Sequence, residues 1–407
     1  MAMDICEKYL ICITGDKNNN KIYRMRPNKD GATWTAEYGR VGQSLSSVTY
    51  PNSQFEKKYK EKIKKGYVDQ TDLVKEELDE SEEEGDGYKP IDNKVIAAIV
   101  KKLQDMANRA IKQNYTISAT KVTIAMVDEA QAIIDDLIQI KDVKVFNDTL
   151  LKLFMTIPRS MGQVKNHLAK TDSEFATILQ REQDLLDVMR GQVVQKAPVV
   201  KKTTTDEEPT ETILEANGLI FEECTAEDIA RIKVALGESH HKLNKAWRVT
   251  NIETQKKFDE YVKENNITNT KLLFHGSRNE NWWSIINSGL ILRPTNAIIT
   301  GKMFGYGLYF APRARKSIGY TSLSGSYWAG GNSNVGYMAL QEVAYGKPYD
   351  VHSFDSKYYS FDHKALEKAC PGANCLHAHA GTMLMNDEIV IYRQEQTTIK
   401  YLIEIKN

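Results

Sequence analysis

The chain of 407 residues sets 54 lysines and arginines against 54 aspartates and glutamates, and 41% of it is hydrophobic. That length exceeds what one hydrophobic core usually supports, so roughly two to four domains are expected. No apolar run nears the ~20 residues of a membrane span, no leader pattern opens the chain, and its five cysteines are an odd number; these argue against a membrane protein or a disulfide framework and for reduced thiols inside a cell.

Zero net charge hides an uneven distribution. Residues 57–65 are strongly basic and residues 76–86 almost wholly acidic, an asymmetry that often accompanies a polyanionic partner, although a solvated helix face explains the basic run nearly as well. Residues 5–50 are rich in Tyr, Ile, Val and Thr, with turn clusters at 15–20 and 27–31, which predicts a small antiparallel sheet. From Ser53 the period changes: Phe55, Tyr59 and Ile63 recur every four residues, predicting a helix with Ser53 as N-cap and Gly66 as its stop. The acidic tract reads as a flexible linker.

Helical spacing then dominates, at Val95, Ile99, Leu103, Met106 and Ala110; at Val122, Ile133, Ile134 and Leu137; at Leu150, Leu151, Leu153 and Phe154; and at Phe175, Ile178, Leu179, Leu185, Leu186 and Met189. Pro158 breaks the third run. Such helices with almost no strand signal predict a bundle. A polar, Pro-bounded connector at 197–209 follows. Beyond it strand-like segments at 271–274, 308–310, 342–345, 388–392 and 400–405 alternate with a few helices, and residues 324–336 read as a Gly-rich loop. The fold class expected is multidomain α+β: a small sheet domain with one helix, an all-α bundle, then a mixed α+β domain with antiparallel sheets.

Within that last part, the strand ending at His275 sets an imidazole beside Gly276, whose backbone a ligand can approach closely. Ala311-Pro312 should start a helix running through Tyr320, since Pro favours the first helical position, and Ser317 and Tyr320 would share a face three residues apart. Along 388–392, Glu388, Val390 and Tyr392 point one way and Ile389 and Ile391 the other. Taken singly, a His-Gly is usually a turn, a Gly-x-Gly beside aromatics a bend, and a Glu opening a strand a solvated edge position.

Taken together they are more specific. His275-Gly276-Ser277-Arg278, Phe304-Gly305-Tyr306-Gly307-Leu308-Tyr309-Phe310-Ala311, Lys316-Ser317 with Tyr320, and Glu388 before its apolar strand resemble, in order and spacing, the catalytic domain of the poly(ADP-ribose) polymerases. The stretch Leu151 to Pro158 resembles the helical regulatory domain of DNA-dependent members, and Tyr38-Gly39-Arg40 resembles the triplet that names the WGR domain. The resemblance implies a WGR-like DNA-binding domain over 1–75, an acidic linker over 76–89, a helical regulatory domain over 90–196, a linker over 197–212 and an ADP-ribosyltransferase catalytic domain over 213–407. It further implies that NAD+ is the substrate and that no metal is required. His275 would hydrogen-bond a ribose hydroxyl, the Gly276 backbone and the Ser317 hydroxyl would hold the nicotinamide amide, and Tyr320 would stack on its ring with Tyr309 as the opposite wall. Ser277 and Asn281 would reach the adenosine side. Lys316 and Glu388 would serve the reaction centre, with His275 and Tyr309 completing the catalytic set. Tyr38, Arg40, Lys57 and Lys58 would contact DNA.

Two sulfurs and two imidazoles at Cys370, Cys375, His377 and His379 are zinc-competent, but Cys-x4-Cys and His-x-His are crowded for a structural zinc site, and a surface loop between strands accounts for them. No Gly-x-Gly-x-x-Gly opens a helix after a strand, which argues against a dehydrogenase. The activity the resemblance implies is poly-ADP-ribosyl transfer stimulated by DNA breaks, onto protein acceptors including the chain itself. The alternatives are a mono-ADP-ribosyltransferase and a catalytically weak scaffold that binds DNA ends. Its expected place is nuclear in a eukaryote or nucleoid-associated cytoplasm in a bacterium, with no membrane partner.

Overall fold

The computed structural model describes residues 5–73, 88–116, 122–193, 211–292, 303–323, 333–381 and 384–407. The acidic tract at 76–86, the connector at 197–209 and most of the Gly-rich loop lie outside them. The chain forms two compact units, one from Met1–Gly85 with Asn108–Val194 and one from Asp86–Ala107 with Gln195–Asn407.

In the first unit β1 (Lys8–Thr14), β2 (Asn19–Pro27), β3 (Thr33–Arg40), β4 (Ser46–Pro51), α1 (Phe55–Lys64) and β5 (Val68–Asp69) build a sheet of order β4-β3-β2-β1-β5, antiparallel throughout. Trp34, Tyr23, Met25, Leu10 and Phe55 form its core. Ser53 does not cap α1: it lies in a short 3-10 turn at Asn52–Gln54 and the helix starts from Gln54 without a side-chain cap. Gly66 does follow the helix, with φ +85°, a left-handed conformation natural to glycine.

Helix α2 (Lys94–Asn114) is divided between the units at Ala107. Its buried stripe is Ile96, Ile99, Val100, Leu103 and Ala107, with Val95 exposed, so the apolar face sits one position along from the spacing expected. In the first unit α3 (Ile124–Gln139), α4 (Val143–Thr156) and α5 (Phe175–Val193) follow, with Thr123 and Asp142 capping α3 and α4 through the backbone N–H groups of Met126 and Val145. These are the polar acceptors that unpaired first-turn donors need. Helix α4 also lies against β1, which explains why Leu10, Ile11, Cys12 and Ile13 are all buried: both faces of that strand are covered. The helix stops at Thr156, two residues before Pro158, and Arg159 pairs with the buried Glu182 of α5 at 3.2 Å.

The second unit runs α6 (Ile213–Ala216), β6 (Leu219–Glu223), α7 (Ala226–Leu236), β7 (Leu243–Asn251), α8 (Ile252–Glu264), β8 (Thr270–Gly276), α9 (Trp282–Ser288), β9 (Leu308–Phe310), α10 (Ala314–Ile318), β10 (Val335–Ala344), β11 (Pro348–Val351), α11 (His363–Ala369), β12 (Cys375–Ala378), β13 (Glu388–Ile391) and β14 (Thr397–Lys406). A five-stranded antiparallel sheet has the order β6-β7-β14-β10-β8, and a four-stranded one the order β11-β12-β13-β9. The second is not wholly antiparallel, because β11 and β12 run parallel. The long connection through α11 permits that crossover. Lys102 of α2 reaches Glu404 of β14 at 2.7 Å, and the same buried carboxylate takes bonds from Asn244 and Tyr337.

Asp228 pins α7 to this sheet. Its carboxylate takes hydrogen bonds from Arg248 at 2.7 Å, the Tyr401 hydroxyl at 2.8 Å, and the Thr225 amide and hydroxyl. Burial pushes its pKa up, but these donors outweigh that and hold it well below the ordinary 3.8. A carboxylate whose pKa is depressed on folding stabilises above its unfolded value and loses that contribution as the pH falls. We therefore expect Asp228→Asn to destabilise the fold by roughly 3 kcal/mol at neutral pH. The gap from the native chain should narrow below about pH 4 in thermal melts; a gap independent of pH would show that the charge is not what matters.

Candidate active site

The two sheets of the second unit meet where β8 ends. Phe274 and Ala311 exchange backbone hydrogen bonds of 2.8 and 2.9 Å, so the residue after β9 is spent on the neighbouring sheet rather than on a helix. Helix α10 consequently begins at Ala314, from Arg313, and not at Pro312, and ends at Ile318, before Tyr320. Ser317 and Tyr320 are still adjacent through a turn in which the Tyr320 N–H donates to the Ser317 carbonyl at 3.1 Å.

This bridge sets His275 beside β9. Its Nδ1 lies 3.1 Å from the Tyr309 carbonyl, and because a carbonyl only accepts, Nδ1 carries a proton in that contact. Trp282 and Phe310 pack around the imidazole, with ring centroids at 6.5 and 5.9 Å. Gly276 is needed for a different reason: a Cβ there would overlap the carbonyl oxygen of Ser317. Strand and helix can thus touch backbone to backbone only if this position is glycine.

The Phe-Gly-Tyr-Gly run is more than a bend. Gly305 has φ +73°, and a side chain on it would strike the backbone of Phe361, while one on Gly307 would strike Val390 of β13. Between them the chain folds tightly enough for the Tyr309 hydroxyl to donate to the Gly305 carbonyl and accept from the Phe304 amide, both at 3.0 Å. Tyr392 donates to the Phe304 carbonyl at 2.7 Å. The Tyr309 hydroxyl is therefore held by the backbone of Phe304 and Gly305, and Tyr392 in turn holds Phe304; neither hold is signalled by the sequence alone.

Along β13 the alternation is as expected: Val390 and Tyr392 join one core cluster, Ile389 and Ile391 another. Glu388 opens the strand, buried, and forms an ion pair with Lys316 of α10, whose side chain is 15% exposed. The negative charge is felt by both tyrosines. Burial raises the pKa of Tyr309 far above its ordinary 10.0, with Glu388 adding to it, and partial burial followed by Glu388 raises that of Tyr320. His275, Gly276, Tyr309, Lys316, Ser317, Tyr320 and Glu388 thus converge on the ends of β8, β9, α10 and β13. Asn281 donates to the Ser277 hydroxyl at 3.1 Å, and its own Oδ1 is buried with no hydrogen-bond partner among the described residues.

In the first unit the Tyr38 ring stacks on Tyr23 at 5.9 Å, with the Lys62 ammonium over both and over Tyr67. Lys57 is exposed and Lys58 lies 5.0 Å over the Tyr50 ring. Arg40 is engaged within its own unit, donating to the carbonyls of Asn18 at 3.1 Å and Gly162 at 2.6 Å. The Cys-His segment is not a loop, since Cys375 opens β12, buried, with its thiol on the Tyr345 carbonyl.

The model of the poly(ADP-ribose) polymerase catalytic domain matches residues 226–407. A putative poly [ADP-ribose] polymerase-like protein of Invertebrate iridescent virus 6 is 30% identical over 168 residues, covering 40% of this chain and 88% of that protein. The chain belongs to the poly(ADP-ribose) polymerase family. An uncharacterized protein of the same virus is 28% identical over 236 residues, 56% of this chain and 94% of the other. Poly [ADP-ribose] polymerase 1 of Oryza sativa is 30% identical over 206 residues, 44% of this chain but only 20% of the rice protein. As a member of the family the chain is an NAD+ ADP-ribosyltransferase, with NAD+ as substrate. Among the described residues no helix is long and apolar enough to cross a membrane.

The contact between Gly276 and Ser317 gives a direct check. We expect Gly276→Ala to weaken binding of a non-hydrolysable NAD+ analogue by tenfold or more, roughly 1.4 kcal/mol, as measured by titration calorimetry. An unchanged affinity would show that the two backbones need not touch.

Proposed function

We propose that this transferase builds poly(ADP-ribose) on protein acceptors, itself included, and that DNA with strand breaks stimulates it. The observation that carries the reading is Glu388, a buried carboxylate held by Lys316 at the mouth of β13 and close enough to raise both Tyr309 and Tyr320. In the proposed arrangement the Gly276 backbone and the Ser317 hydroxyl grip the nicotinamide amide, Tyr320 and Tyr309 enclose its ring, and His275 Nε2 accepts from a ribose hydroxyl. Ser277 and Asn281 meet the adenosine side.

The bond between nicotinamide and C1′ of the ribose then lengthens, and positive charge grows on the sugar. A carboxylate placed where that charge develops stabilises it more than it stabilises the bound substrate, which is what lowers a barrier. The acceptor hydroxyl attacks C1′ as nicotinamide leaves with the bonding pair. Glu388 accepts a hydrogen bond from that hydroxyl and draws off its proton, while the ion pair with Lys316 orients the carboxylate. A growing chain presents a weakly acidic hydroxyl that needs such help. This favours polymer over single transfers.

Glu388→Gln keeps the shape and loses the charge. We expect it to bind the NAD+ analogue within about twofold of the native chain yet to lose chain elongation by on the order of a thousandfold, read as radiolabelled polymer on gels. Long polymer at the native rate would sink the assignment of Glu388.

For the DNA response we propose a domain over 1–75 that contacts phosphates through Arg40, Lys57 and Lys58, with Tyr38 at the same surface, and a regulatory domain over 90–196. Phosphate contacts release counterions, so binding should fall steeply with salt. Arg40 also ties Asn18 to Gly162, so the cleaner variant reverses charge on α1 instead. Lys57→Glu with Lys58→Glu is expected to lower DNA-stimulated transfer at least tenfold and leave transfer without DNA unchanged, measured with labelled NAD+ and nicked duplex. Equal loss in both conditions would place these lysines outside any DNA contact.

A further inference from the structure

Strands β11 and β12 run parallel with Asp350 opposite His377 and Val351 opposite Ala378. The ladder continues one step, since the His379 N–H donates to the Val351 carbonyl at 2.8 Å. Residues two apart on a strand share a face, so His377 and His379 project on the same side as the paired Asp350. Asp350 Oδ1 lies 2.7 Å from His379 Nε2 and 3.8 Å from His377 Nδ1, and the three donor atoms all lie within 4.8 Å of one another. The rings of His377 and His379 stack with centroids 4.0 Å apart, and His352 stacks on His379 at 4.4 Å.

Two imidazoles and one carboxylate suit zinc and similar borderline divalent ions and suit magnesium or calcium poorly. Bonds of ~2.1 Å in a tetrahedron put donors ~3.4 Å apart, between the two separations seen. The surroundings match as well. His377 Nε2 lies 3.1 Å from Asp387 Oδ2, and a carboxylate keeps the proton on that nitrogen and leaves Nδ1 as a lone pair facing Asp350. That is the outer carboxylate commonly found behind a metal-bound imidazole. The Tyr345 hydroxyl, 2.8 Å from the same Nδ1, is the group an entering ion would displace. We propose that Asp350, His377 and His379 bind a zinc ion on the β11–β12 pair, separate from the transfer chemistry at Glu388, with water completing its coordination.

The test uses the full chain, stripped with a chelator and titrated with zinc chloride against a colorimetric zinc indicator. One equivalent should bind, and excess magnesium should not displace it. Asp350→Asn and His379→Ala, both at positions open to solvent, should each weaken uptake on the order of a hundredfold without changing the circular dichroism of the zinc-free chain. Cys370→Ser, and His240→Gln with His241→Gln, should leave uptake unchanged. Cobalt(II) in place of zinc reports on the ligands without any substitution: visible d–d bands with no thiolate charge-transfer absorption are expected. No stoichiometric uptake at micromolar zinc, uptake that survives His379→Ala, or a thiolate band with cobalt would each overturn the proposal.

Discussion

The pair of backbone hydrogen bonds between Phe274 and Ala311 is the constraint on which the site depends. It is where the five-stranded sheet and the four-stranded sheet of the second unit are joined, and every group in the cleft takes its place from it. His275 comes next to Phe274, so its ring falls against the Tyr309 carbonyl; Gly276 follows, and its bare backbone meets Ser317. Pro312 ends the pairing at Ala311 because it has no N–H to continue a ladder. Only after that stop can the chain turn into α10 and present Lys316 and Ser317 on successive residues, one toward Glu388 and the other toward Gly276. Buried backbone donors and acceptors must find partners somewhere, and here meeting that demand also positions the chemistry.

Electrostatics completes what the backbone begins. A carboxylate taken out of water is costly unless it is paired and hydrogen-bonded, and Glu388 is given Lys316. The pairing holds the carboxylate in place at the start of β13. Both neighbouring tyrosines are disinclined to ionise, chiefly through burial and further through that charge. Tyr309 has its hydroxyl tied to the Phe304 and Gly305 backbone, so it offers a ring face rather than an acid. In the proposed arrangement a rigid aromatic wall and a fixed anion would orient a flat cationic ring before its bond breaks.

Much of this was legible in the sequence where local pattern and tertiary role agree. The alternation from Glu388 to Tyr392 predicted which residues face which core, and the run 271–274 predicted a strand leading into His275. The two glycines beside Tyr306 were visible as a motif, but the reason for each, contact with Phe361 and with Val390, depends on residues far along the chain. Long-range pairing also explains the misses. Pro312 looked like a helix start until Phe274 claimed Ala311, Ser53 looked like a cap until a 3-10 turn absorbed it, and Val95 looked buried because the stripe was counted from the wrong side of Ile96. Asp350 carries no local signal at all. It gains a meaning only when a parallel pairing, which needs a long crossover, sets it opposite His377.

Neighbouring carboxylates at 387 and 388 show how one strand end can serve two purposes without conflict. Like charges side by side disfavour joint ionisation unless each has its own compensating group. Asp387 takes the Ala380 amide at 2.8 Å and faces His377, whereas Glu388 takes Lys316. Strand alternation sends adjacent side chains to opposite faces, so the first carboxylate belongs to the histidine cluster and the second to the cleft. The separation has a mechanical consequence as well. Whatever fixes His377 and Asp387 fixes the entry into β13, and with it the direction from which the Glu388 carboxylate projects, so the stiffness of a surface histidine cluster and the placement of the buried Glu388 carboxylate are two properties of the same few residues of backbone.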